Sequence, residues 1–60
     1  MKAKQYLFKV TAVDHSTLEV AEQEILAVNE AQAVADFFTY CFWAANVCNR
    51  KETEVTVARA

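Results

Sequence analysis

The chain contains no glycine and no proline. Without glycine it cannot build the Gly-rich loop that cradles a phosphate ahead of a helix. Nor can it form the usual two-residue hairpin turns. Histidine occurs once and cysteine twice. A metal site needs several ligands at suitable spacing, but Cys41 and Cys48 fall on one side of an expected helix and His15 in a distant turn. The same separation leaves no Cys–His nucleophile pair, and no third orienting group is evident. An enzyme, a metal site and a cofactor are therefore not expected. Positive charge is scarce as well: six Lys and Arg against eight Asp and Glu give a net charge of −2. Direct nucleic-acid binding, which needs clustered cations to displace counterions, is not expected. There is no stretch of 18 uncharged apolar residues to span a membrane. Lys9 interrupts the only apolar run near the N-terminus of the kind a signal peptide uses. The expected location is cytoplasmic.

At 60 residues the chain reads as a single domain over 1–60. The starting Met and short length lead us to expect a complete small gene product. Such a chain buries only about 60% of its unfolded surface. The two cysteines lie seven residues apart, about 10 Å along a helix. That exceeds the roughly 7 Å Cα separation a disulfide tolerates, so reduced core thiols are expected.

Over 5–13, Tyr6, Phe8, Val10 and Ala12 alternate with Leu7, Lys9, Thr11 and Val13, the period of a strand. Asp14, His15, Ser16 and Thr17 supply a polar turn. A second strand is expected over 18–28. Leu18 and Val20 share one parity, and Ile25 and Ala27 the other, so a bulge or break is expected within 21–24. A long helix follows over 29–48. Asn29 is its N-cap, with Gln32 completing a capping-box-like pair, and Glu30 suits the positive end of the dipole. Arg50 and Lys51 suit the opposite end, and Asn49 the left-handed cap position. Thr53, Val55 and Val57 alternate with Glu54, Thr56 and Ala58 in a last strand over 53–59. The expected fold is α+β, with order ββαβ. Its three-stranded antiparallel sheet has strand order 2-1-3, with the helix packed on one face.

That helix carries more apolar surface than one small sheet covers. Ala31, Val34, Ala35, Phe38, Cys41, Phe42 and Ala45 form one stripe at 100° per residue. Beside it lies a second stripe of Ala33, Phe37, Tyr40, Ala44 and Val47, with Trp43 adjoining on the polar side. A surface helix normally needs a single stripe. Either a curled sheet or the termini cover the second, or it is an interface with another protein or a second copy. Aromatic anchors of this kind concentrate at interfaces, and fully burying one Phe-sized side chain is worth roughly 1.5–3 kcal/mol. A homodimer would use Phe37, Tyr40, Ala44 and Val47. Acidic residues also cluster: Glu19, Glu22, Glu24 and Glu30 are four of the eight. They read either as charges that discourage edge-to-edge aggregation, or as a negative surface that docks on a basic host-protein patch or occupies a place meant for nucleic acid.

His15-Ser16 with Glu19-Val20, then Ala27-Val28-Asn29-Glu30-Ala31, then Glu54-Val55-Thr56 with Arg59 together resemble the small T7-type phage inhibitors of host RNA polymerase. The cues span most of the chain, but each is short. The resemblance implies a three-stranded antiparallel sheet with one helix. It also implies a protein that binds the polymerase jaw and keeps promoter DNA out of the channel, using an acidic strip and arginines on the last strand. Arg59 would take one arginine role, and Glu22 or Glu24 part of the strip. The chain departs from the pattern where Val57, or Ala58, stands in place of a second arginine, and in its more apolar helix. The residues expected to meet a partner are Phe37, Tyr40, Trp43, Ala44, Val47, Glu19, Glu22, Glu24 and Arg59.

Overall fold

A computed structural model describes residues 4–60. Strand β1 (Tyr6–Asp14) forms a hairpin with β2 (Glu19–Ala27). Helix α1 (Glu30–Tyr40) follows, and after an irregular passage β3 (Thr53–Arg59) completes the sheet. The strand order is β2-β1-β3 and both pairings are antiparallel. The architecture is thus the expected ββαβ with the most apolar strand central. Period-two alternation on β1 sorts its side chains by face. Phe8, Val10, Ala12 and Asp14 are buried beneath the helix, while Leu7 and Lys9 on the other face are exposed. With Ala27, Ala33, Phe37, Cys41 and Ala44 these apolar residues make the core. It is a thin core, in which three of the members are alanines from β2 and the helical segment.

The hairpin shows how the chain manages without glycine. Leu18 takes φ 64°, a left-handed conformation that costs a non-glycine residue about 1–2 kcal/mol. Its N–H reaches the Asp14 carbonyl at 2.7 Å, closing the turn. β2 therefore starts at Glu19, one residue later than expected. The expected bulge is also absent: Ala21, Glu22, Gln23 and Glu24 pair in unbroken register with Ala12, Thr11, Val10 and Lys9. The phase slip in the sequence is resolved by exposure. Ala21, Ile25 and Ala27 face the helix, while Val20 and Leu26 stay in solvent on the opposite face. Scattered exposed apolar side chains are tolerated more readily than a lost ladder bond.

Helix α1 starts as expected. Asn29 is extended and its side chain accepts the Gln32 N–H at 2.8 Å. The reciprocal half of the capping box does not form, and the Gln32 amide nitrogen donates to Asp36 at 2.8 Å. The helix ends far earlier than the expected Cys48. It runs 11 residues, about 16 Å, and stops at Cys41, whose backbone is extended at φ −85°, ψ 112°. A π-helical turn (Trp43–Val47) and a 3-10 turn (Arg50–Glu52) carry the chain to β3. Asn49 is extended, not left-handed, and caps the 3-10 turn by accepting the Lys51 N–H at 3.2 Å. Arg50 and Lys51 belong to that turn, outside α1, and the Arg50 guanidinium lies 4.3 Å from the centre of the Phe38 ring in the last turn of α1.

Candidate binding surfaces

The break at Cys41 decides which aromatic rings meet solvent. In an unbroken helix Tyr40 would follow Ala33 and Phe37 down the buried stripe. Instead Cys41 turns inward and Tyr40 outward, 80% exposed. The exchange is physically reasonable, since a thiol behaves as a small apolar group whereas a buried phenol needs a hydrogen-bond partner. The backbone keeps its bonding through the break: Cys41 N–H donates to the Phe37 carbonyl at 3.0 Å, and Ala45 N–H to the Cys41 carbonyl at 2.9 Å. Beyond it, Phe42 is 74% and Val47 53% exposed.

The expected second stripe therefore divides. Phe37 and Ala44 are fully inside the protomer and belong to its core, so they are corrected as contact residues. Phe37 fills the centre and meets Phe38 edge to face at 5.5 Å. Trp43 is half-buried against that core. Tyr40 and Val47 remain available. Phe42, assigned to the first stripe, joins them, as do Ala31 and Ala35 of the same stripe, which are exposed on α1.

The acidic residues divide by strand parity. Glu22 and Glu24 stand on the open face of the sheet, opposite Thr11 and Lys9, and Glu54 joins them from β3 opposite Val13. Glu22 is engaged there: Lys9 lies 3.5 Å away and the Thr11 hydroxyl donates to it at 3.3 Å. Exposed pairs of this kind contribute about 0–1 kcal/mol. Glu19 has the other parity and sits beside the turn, while Glu30 is at the start of α1. Arg59 lies on the helix side of the sheet, its guanidinium 3.9 Å from the centre of the Tyr6 ring. The arginine and the Glu22–Glu24 pair thus occupy opposite faces and opposite outer strands.

The turn end of the sheet holds one further group, Asp14, expected in the polar turn. It is 1% exposed. Its carboxylate accepts bonds from the Ser16 hydroxyl and N–H, and from the Asn49 N–H at 2.8 Å. The Ser16 hydroxyl, then the Asn49 N–H, hold its pKa below the ordinary value, against the opposing effect of burial. This is a structural carboxylate, with both oxygens engaged by the turn and by the backbone at Asn49. Cys41 and Cys48 are both free thiols, the second donating to the Ala44 carbonyl at 3.3 Å. Among the described residues, no three His, Cys, Asp or Glu side chains are grouped to hold a metal ion, and no helix is long and apolar enough to cross a membrane.

The chain matches no protein-family model, and neither a curated protein nor a solved structure matches it significantly.

Proposed function

We propose that this protein is a small non-catalytic binding module, phage- or prophage-encoded, that inhibits a host enzyme in the host cytoplasm by covering part of its surface. RNA polymerase is the enzyme to which the sequence resemblance points. The observation that carries the binding role is the display of Tyr40 and Phe42 on either side of the helix break. A chain with so thin a core holds two large rings in water while burying alanines. Rings of this size supply the anchors of protein interfaces. The open acidic face offers a separate electrostatic contribution, which acts chiefly on encounter rate and orientation.

Purified bacterial RNA polymerase tests the reading. The expected result is a stoichiometric complex on gel filtration and loss of promoter-DNA binding. Tyr40→Asp combined with Phe42→Asp weakens the complex at least about tenfold, as loss of interface anchors does. Glu22→Lys combined with Glu24→Lys reports the acidic face independently. Polymerase that elutes free of the protein and keeps its full promoter affinity would end the polymerase assignment. An affinity unmoved by the aromatic pair would end the role of the helix break. The alternative is a homodimer through the helix, for which Tyr40 and Val47 are exposed while Phe37 and Ala44 are buried within one protomer.

A further inference from the structure

The two outer strands of the sheet differ in what they offer a neighbour. The Ala60 N–H donates to the Leu7 carbonyl at 2.9 Å, in the same register as Phe8–Arg59 and Lys9–Ala58. Bonded and unbonded pairs alternate along an antiparallel ladder. Ala58, Thr56 and Glu54 therefore turn their backbone groups toward β1, and those of Arg59, Val57 and Val55 face outward. Among the described residues, no turn, loop or cap bond reaches Val55 or Val57.

By the same alternation Val20, Glu22, Glu24 and Leu26 face outward on β2. Antiparallel self-pairing of that edge about its middle sets Glu22 against Glu24, or either glutamate against itself. Like charges directly opposite are destabilising, and such charges are a recognised protection of sheet edges. On β3 the outcome reverses. A two-fold axis through Thr56, perpendicular to the sheet, places Val55 opposite Val57, Thr56 opposite Thr56, and Glu54 opposite Ala58. No like charges meet. The two Val55–Val57 pairs exchange about four backbone hydrogen bonds, and their half-buried side chains meet on the helix side.

We propose that β3 is a self-pairing edge, through which two copies of this chain form a six-stranded antiparallel sheet with both helices on one face. This inference stands apart from the helix-break surface and does not depend on it. Sedimentation of the full chain should show a reversible dimer between micromolar and millimolar concentration. Val57→Pro removes only an outward N–H, which an outer strand tolerates, so it should give a folded monomer by circular dichroism. Thr56→Lys sets two cations together at the axis and should weaken the dimer at least about tenfold. Thr56 pairs with itself at an unbonded position, where Cα atoms lie about 4.5 Å apart, within reach of a disulfide. Thr56→Cys should therefore cross-link under mild oxidation, while the unmodified chain does not. A chain that stays monomeric throughout overturns the proposal. So does a dimer that survives both Val57→Pro and Thr56→Lys.

Discussion

Glu30–Tyr40 and Trp43–Val47 come from one apolar stretch, yet the structure treats them differently. The first is a regular capped helix that buries Ala33 and Phe37. The second is a π-helical turn with Ala44 as its only buried residue; it follows exposed Phe42 and ends in exposed Val47. Composition hardly distinguishes them. What differs is anchoring: the earlier half holds Phe37, fully buried in the core, and the later half is held at its end by the Asn49 N–H on Asp14. A segment fixed at its two ends by few contacts can display side chains between them.

Removing the first anchor is the most forceful way to erase that contrast. Phe37→Ala should remove about 3–5 kcal/mol, against a total near 3–9 kcal/mol expected at 0.05–0.15 kcal/mol per residue. Thermal melting by circular dichroism should find the variant at or beyond the edge of unfolding. A loss below about 1 kcal/mol would mean that Phe37 is not the keystone.

Loosening the second anchor has a smaller effect with a pH signature. Asp14 has a folded pKa below its ordinary value of 3.8. Its contribution to stability is therefore fully present above that value and is lost as pH falls through the folded pKa. Urea midpoints of the unmodified chain should fall more steeply below about pH 4 than those of Asp14→Asn, with the two curves converging in acid. Parallel curves would show that the ionised carboxylate does not fasten the segment.

Phe42→Ser should give the smallest change, within about 0.5 kcal/mol of the unmodified chain, by chemical denaturation. A substantially larger loss would place Phe42 in the fold and remove it from the exposed surface.

These differences also mark what could be read from residues alone. Strand order 2-1-3 followed from setting the last strand antiparallel beside the first, which leaves the most apolar strand central. The bounds of β3 and the Asn29 cap were equally legible, because each rests on local chemistry. The helix end was not. Nothing in TYCFWAANVC stops a helix by propensity, and the break depends on whether a thiol or a phenol occupies the tertiary core. The acidic run looked continuous in sequence, but strand parity sends Glu19 to one face and Glu22 and Glu24 to the other. The two outer strands could be told apart only when the ladder showed which backbone groups point outward.

The tie between Asp14 and Asn49 spans 35 positions, with a consequence for the order of assembly. A nascent hairpin made from the early part of the chain would carry an ionised carboxylate still lacking one donor, and that donor arrives only with the final third of the polypeptide. The first turn is thus completed only after helix α1 has been made, so partly synthesised chains that stop short of Asn49 should lack a stable native hairpin.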